Sequence, residues 1–213
     1  GDVVSTQTDD ITVAAGKTET ISQSVDVANP KLWSVDSPNL YWVRTEIIQN
    51  GKVVDSTDSR FGIRYIATDP NSGFYLNGVH TKLNGVCEHS DLGSLGMETY
   101  QAAVDRRIRT LKKYGVNAIR TSHNPVSPEF IEACDRLGML VFEEAFDQWL
   151  YSKNSDDYHN YFNKAADGKT VVFDKAGNDN TNNDTSYIEV KRDDLQSNAE
   201  RDIKAMVERD KNA

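Results

Sequence analysis

The sequence predicts a two-part protein, an antiparallel β domain followed by an α/β domain built on a parallel sheet. Three observations carry that fold class. Up to about residue 66, β-rich segments, one of them alternating in polarity and closed by the Asn50-Gly51 turn, follow the pattern of antiparallel hairpins. From residue 74, strand-like and helix-like segments take turns along the chain. The strand-like segments of that second part are short runs apolar on both faces, as a sheet covered on both sides requires.

Each element has its own signal. Thr18 to Val25 is rich in Thr, Ile and Val and reads as a strand; Tyr41, Val43, Thr45 and Ile47 alternate along a second. Asn50-Gly51 then turns the chain into Lys52 to Ser56 as a type I′ hairpin. A β-sandwich of this kind takes about seven strands and roughly 100 residues, so residues 1–66 are expected to be part of one, with its first strands missing. Phe74-Tyr75-Leu76 and the turn Asn77-Gly78 lead into a strand over Lys82 to Cys87. A helix follows over Glu98 to Tyr114, with Val104, Ile108 and Leu111 on one face and Gly115 at its end. After a strand at Val116 to Arg120, Ser127 caps a helix that begins on Pro128 and stops at Gly138, and Met139 to Phe142 forms the next strand. These units predict right-handed βαβ crossovers. Residues 154–186, rich in Asn and Asp, read as a long surface loop, and a last helix over Asp193 to Arg209 presents Leu195, Ala199, Ile203, Met206 and Val207 to a core.

Composition narrows the function. Lys and Arg number 24 against 33 Asp and Glu, a formal charge of −9 with no basic cluster, which argues against a nucleic-acid partner. No apolar run approaches the roughly 18 residues of a membrane span, so no membrane partner is expected. Gly1 to Ser5 lacks the layout of a signal peptide, and without an initiator Met the start reads as a cut end. Cys87 and Cys134 have neither CxxC spacing nor a His cluster, so they read as small buried apolar residues rather than zinc ligands; a single disulfide between them, and with it the redox compartment, stays open.

In a parallel α/β sheet, ligands bind at the C-terminal ends of the strands. Here those ends carry Glu88, His89, Ser90 and Asp91 after the first strand; Arg120, Ser122, His123 and Asn124 after the second; and Glu143, Glu144, Asp147 and Trp149 after the third. Such a rim suits a polar, hydroxyl-rich ligand, with the Trp149 face available to stack on a sugar ring. A single His after a strand can equally be a satisfied hydrogen-bonding residue, and Glu143-Glu144 a solvated strand end. Asp105 and Arg109 read as an i, i+4 helix-surface pair, His80 and His159 as ordinary exposed residues, and Cys134 as packing.

The stretch Asn117-Ala118-Ile119-Arg120-Thr121-Ser122-His123-Asn124-Pro125, followed by Cys134-Asp135-Arg136-Leu137-Gly138 and an apolar strand, resembles the first signature of glycoside hydrolase family 2, the family of β-galactosidase and β-glucuronidase. Leu32-Trp33-Ser34, Pro38-Asn39-Leu40-Tyr41 and Arg60-Phe61-Gly62-Ile63-Arg64 resemble that family's immunoglobulin-like domain. Leu83 to Cys87 with His89 and Asp91-Leu92-Gly93 resembles its first barrel strand and loop, and Glu200-Arg201-Asp202-Ile203 with Val207 to Asn212 resembles the helix before its catalytic Asn-Glu. The motifs run in family order along nearly the whole chain.

The resemblance implies a multidomain β plus α/β protein: a partial immunoglobulin-like β-sandwich over 1–66, then the first three βα units of a TIM (β/α)8 barrel over 67–213. The loop around Gly85 to Gly96 and the end Glu144-Ala145-Phe146-Asp147 are most similar to β-galactosidases, which implies a parent that hydrolyses terminal β-galactosides with retention. By that similarity His89, Arg120, His123, Asn124, Glu144, Asp147 and Trp149 would bind substrate, with Arg120 beside the nucleophile. Asn124 stands where Tyr is common in the family, which tells against β-glucuronidase; Gln148 and Leu150 stand where some β-galactosidases hold magnesium, so no metal is expected there, and no cofactor is expected. The two catalytic glutamates follow barrel strands four and seven, beyond this chain, so the isolated chain is expected to be inactive. Glu143 and Glu144 cannot replace them, since adjacent strand residues point to opposite faces. The implied partners are a carbohydrate substrate and the rest of the barrel, with a homo-oligomeric parent left open. The alternatives are a β-glucuronidase or β-mannosidase of the same family, and a carbohydrate-binding module without catalysis.

Overall fold

The computed structural model describes residues 1–146, 171–174, 187–190 and 192–211. No strand forms before Tyr41, where the only β pairing among the described residues is an isolated bridge between Trp33 and Pro38. The strand expected over Thr18 to Val25 is therefore absent. A strand exists through its ladder, and among the described residues no backbone ladder forms on these: the contact across to residue 9 is one side-chain bond, Gln23 Nε2 to Asp9 Oδ2 at 3.0 Å, and Ile21 and Val25 stay exposed. Strands β1 (Tyr41–Gln49) and β2 (Lys52–Phe61) form the predicted hairpin, with Tyr41 opposite Phe61 and Gln49 opposite Lys52. Asn50 and Gly51 both have positive φ, 52° and 75°, as a type I′ turn demands. Trp42, Ile47, Ile48 and Val53 remain exposed, so the expected sandwich is represented by one ribbon without a second layer among the described residues.

A three-stranded meander links the two parts: β3 (Ile66–Asp69), β4 (Gly73–Leu76) and β5 (Val79–His80). Its Asn77-Gly78 turn also has positive φ at both residues. The Asn77 side chain accepts from Tyr65 N at 3.1 Å and donates to the Trp33 carbonyl at 2.9 Å, fastening the meander to the preceding segment.

The parallel sheet has the order β6 (Gly85–Glu88), β7 (Ala118–Thr121), β8 (Leu140–Phe142), with α1 (Gln101–Lys113) and α2 (Pro128–Leu137) as its crossovers. The strands begin later than the sequence suggests. Asn117 explains the first two: its side chain accepts from Asn84 N at 2.8 Å and donates to Lys82 O at 2.9 Å, bridging where a backbone ladder was expected. Ser127 caps α2 through Phe130 N at 3.3 Å, Pro128 follows it, and Gly138 ends the helix in the left-handed region.

In register, Val86, Ile119 and Val141 form one row across the sheet and Cys87, Arg120 and Phe142 the next. Neighbouring rows point to opposite faces. The first row meets the helices, packing with Val104 and Ile108 of α1 and Phe130, Ile131, Ala133 and Cys134 of α2. Ile108 is wholly buried, a contribution of about 1.5–3 kcal/mol from hydrophobic transfer. The second row is open, and it is not apolar throughout, contrary to the expectation of strands apolar on both faces. Cys134 is core as expected, whereas Cys87 is exposed; both thiols are free.

One further expectation changes at the helices. Asp105 is not a surface pair with Arg109 alone: it is buried, and its carboxylate also takes Arg136 at 2.7 Å and Gln101 at 2.8 Å, tying α1 to α2. The Arg136 guanidinium beside it holds that carboxyl below the usual range. At the C-terminal end of α2, the Trp33 indole donates to the Asp135 carbonyl at 2.8 Å, and Lys112 Nζ donates to the carbonyls of Val35 (2.5 Å) and Gly138 (2.9 Å). A Cβ at Gly138 would fall on the Val35 carbonyl oxygen.

Inside the stretch expected to be loop, β9 (Val171–Asp174) pairs antiparallel with β10 (Tyr187–Val190). Val171, Val172 and Phe173 are the β-forming residues that signal it. His159 and the rest of that stretch lie outside the described residues. Helix α3 (Arg192–Asp210) matches the predicted last helix, but Ile203 and Val207 are exposed rather than packed in a core. Among the described residues no helix is long and apolar enough to cross a membrane.

Candidate functional site

The C-terminal edge of the parallel sheet gathers charged side chains around Glu144. This residue follows β8, and its backbone N–H donates to Thr121 Oγ1 at the end of β7 (3.0 Å), which fixes where the carboxylate emerges. Glu144 Oε1 accepts from Arg120 Nε at 2.6 Å and Nη2 at 2.5 Å; Oε2 lies 2.8 Å from His123 Nδ1. Arg120 Nη2 also lies 3.1 Å from His123 Nδ1, so the three side chains are one unit. A carboxylate at Nδ1 favours the tautomer with its proton on that nitrogen.

Arg120 is aimed by its strand. Its register neighbour Cys87 receives Nη1 at 3.5 Å, and Ser122 Oγ receives the same nitrogen at 3.3 Å. Ser122 is buried and donates its own N–H to the Glu88 carbonyl at 2.8 Å, carrying the pairing one step past β7; the peptide between Ser122 and His123 is cis. The hydrogen bonds from Arg120 and Ser122 lower the Cys87 thiol pKa. For Glu144, burial pushes the carboxyl upward, but the hydrogen bonds from His123 and Arg120 outweigh it and the net shift is down. The carboxylate is held ionised next to a guanidinium.

His89 stands on the loop after β6. Its ring meets that of His123 edge-on, with centroids 6.0 Å apart. Asn124 Nδ2 donates to Ser90 Oγ at 3.1 Å, joining the loops after β6 and β7. Beside them is an open depression walled by His89, Asp91, Met97, Arg107 and Phe130.

Glu143 turns away from this group. It accepts from Val126 N at 3.2 Å and Arg209 Nη2 at 3.3 Å, and burial, with a hydrogen bond to the Asp210 carboxyl, raises its pKa to about 7. Two adjacent glutamates thus have opposite surroundings, which rules them out as a cooperating pair.

Of the residues singled out from sequence, His89, Arg120, His123, Asn124 and Glu144 lie along one edge of the sheet; Asp147 and Trp149 lie outside the described residues. Glu144 differs from a simple pocket floor, since both of its oxygens are engaged by Arg120 and His123. Glu88 is an ion-pair partner of Arg107 at 2.8 Å. Sequence reasoning gave no place in the site to Cys87 or Thr121. Strand alternation could have found Cys87, because the residue level with Arg120 on the adjacent strand shares its face. Among the described residues no group of His, Cys, Asp and Glu is arranged to hold a metal ion. The arrangement can bind hydroxyl groups through imidazole and amide groups and fix a neighbouring anion through Arg120; it holds no pair of carboxyl groups set for acid/base and nucleophilic work.

Two family models match the chain: glycosyl hydrolases family 2 over residues 1–64, and the TIM barrel domain of glycosyl hydrolases family 2 over residues 68–213. A beta-galactosidase of Bacteroides ovatus is 44% identical over 150 residues, 70% of this chain and 18% of that protein. A putative beta-glucuronidase of Formosa agariphila is 43% identical over 137 residues, 64% of this chain and 13% of that protein. The crystal structure of a beta-glycosidase from Bacteroides vulgatus superposes with a TM-score of 0.66 at 33% identity, covering 87% of this chain and 20% of that one. The matched stretches thus span no more than about a fifth of these relatives' lengths.

Proposed function

Because the chain belongs to glycosyl hydrolase family 2, we propose that it is part of a retaining glycosidase that removes terminal non-reducing β-D-galactose. Residues 1–66 are then the end of the immunoglobulin-like domain, and 67–213 the first three βα units of the catalytic barrel. The observation that carries this reading is the Arg120–Glu144–His123 unit with the His89 ring beside it, at the sheet edge where such enzymes bind sugar. His89, His123 and Asn124 hydrogen-bond sugar hydroxyls; Arg120 keeps a neighbouring catalytic carboxylate ionised; Glu144 acts through Arg120 and His123. Asp147 and Trp149 are assigned to substrate binding by the family resemblance. Retention requires two glutamates roughly 5 Å apart, one as acid/base and one as nucleophile. In this reading they come from the rest of the barrel, so the 213 residues alone hydrolyse nothing. Substrate and the remaining strands are the partners, and no cofactor is needed.

A β-glucuronidase is the rival, favoured by the 43% identity to a putative enzyme of that kind. The test is to give the longer protein nitrophenyl β-galactoside and β-glucuronide and follow the released sugar by NMR. Galactoside cleavage with the β anomer appearing first is expected. Cleavage of the glucuronide alone would transfer the chain to the rival, and an α anomer appearing first would sink the retaining mechanism.

A further inference from the structure

We propose that Arg107, on helix α1 rather than on a strand, is a positioning residue that sets where His89 stands in the sugar site. The inference rests on the functional reading above. The Arg107 guanidinium makes three contacts along one short stretch: Nη1 pairs with Glu88 Oε2 at 2.8 Å and reaches the His89 carbonyl at 3.5 Å, and Nη2 donates to the Asp91 carbonyl. Its partners bracket His89 on both sides. Glu88 is the last residue of β6, so the clamp joins the chain's exit from the sheet to the helix layer.

The loop's other backbone bonds are internal. Asp91 N donates to His89 O at 2.7 Å, Gly93 N to Asp91 Oδ1 at 2.7 Å, and Leu92 N to Gly96 O at 2.8 Å. Bonds of this kind give the loop a shape without giving it a place. Placement comes from Leu92 against the core, from the Asn124–Ser90 bond on the far side, and from Arg107. The Arg107 side chain is only a quarter exposed, at 25%, and the Glu88 side chain 21%, so the ion pair is shielded compared with those on the surface. A guanidinium presents several donors in one fixed plane; an ammonium could keep the Glu88 pair but could not span both carbonyls. His89 is the exposed end of this arrangement, and its imidazole is useful only if it meets the sugar where His123 meets it. A misplacement of 1 Å in such a site can cost about 10²-fold in rate.

The experiment is a double-mutant cycle in the longer protein, on whichever nitrophenyl β-glycoside the wild type cleaves best, so the choice between galactose and glucuronic acid does not enter. Arg107→Met should lower kcat/KM by about tenfold or more, with Arg107→Lys between it and wild type. In the His89→Ala background the same Arg107→Met should cost less than about twofold, because the ring it places is gone. A wild-type kcat/KM for Arg107→Met, or a loss that recurs in full without His89, would overturn the proposal; the second result is what a purely structural role produces. If Arg107→Met does not fold, Glu88→Gln reads the same coupling, weakening the clamp from its other end. A His89→Ala variant with unchanged kcat/KM would remove His89 from the site and sink both readings, whereas additive losses would sink only this one.

Discussion

The two faces of the parallel sheet share one backbone and differ by a single step along each strand. Val86, Ile119 and Val141 point into the layer made by α1 and α2, where Ile119 is wholly buried. One residue later, Cys87, Arg120 and Phe142 point the other way, and Phe142 is 68% exposed. On the first face sequence is read as volume, since apolar residues of about the right size close the core. On the second it is read as charge, since Arg120 takes its position from Glu144, Ser122 and Cys87. Stability and function are therefore segregated by strand parity, and a substitution's consequence should follow from which parity it hits.

The sharpest test of that segregation truncates the covered face. Ile119→Ala should lower unfolding free energy by about 2–5 kcal/mol, because Val86, Val141 and the two helices cannot collapse fully into the space. Urea denaturation reads this directly, and a loss near zero would mean the face is not a core. On the other face, Glu144→Gln keeps the shape and removes the charge that joins Arg120 to His123. In the longer enzyme kcat/KM should fall about 10²-fold while the urea midpoint moves little. A large midpoint shift with intact kcat/KM would reverse the assignment of roles.

The smallest effect contrasts Glu143 with its neighbour. Its folded pKa, about 7, lies above its ordinary value, so the folded state holds the proton that the unfolded chain has lost. Glu143 thus contributes stability that is complete below its unfolded pKa and disappears as pH rises toward 7. Glu144, shifted down, contributes stability above its unfolded pKa that is lost as pH falls. Glu143→Gln should flatten the decline of the urea midpoint between pH 5 and 7; an unchanged slope would show that Glu143 is not the titrating group.

The parts legible in the sequence are those with local causes. The α2 helix was marked by Ser127, Pro128 and Gly138, each acting on the turn beside it, and both Asn-Gly turns by residues that tolerate positive φ. The site's strand ends were legible because topology dictates where polar residues collect. What escaped depends on distant partners. The Thr18 to Val25 segment has strand chemistry but no neighbour to pair with, and Val171 to Asp174 was hidden by the Asn-rich residues around it. Asp105 and Arg107 look like ordinary helix charges until Arg136 and Glu88 are brought beside them by the fold. Exposure of Cys87 follows from register, and register is a relation between two strands.

Gly138 illustrates how two demands can settle on one atom. It ends α2 with φ of 74°, and the place its side chain would occupy is taken by the Val35 carbonyl, which Lys112 grips together with Gly138's own. Relief of either demand alone would not free the position: a residue tolerant of left-handed backbone still collides with the segment from the first part, and a shift of that segment still leaves the strained φ. Asn, the usual alternative at helix ends, tolerates the left-handed backbone but its Cβ would still meet the Val35 carbonyl, so at this joint only glycine meets both demands without a shift of the neighbouring segment.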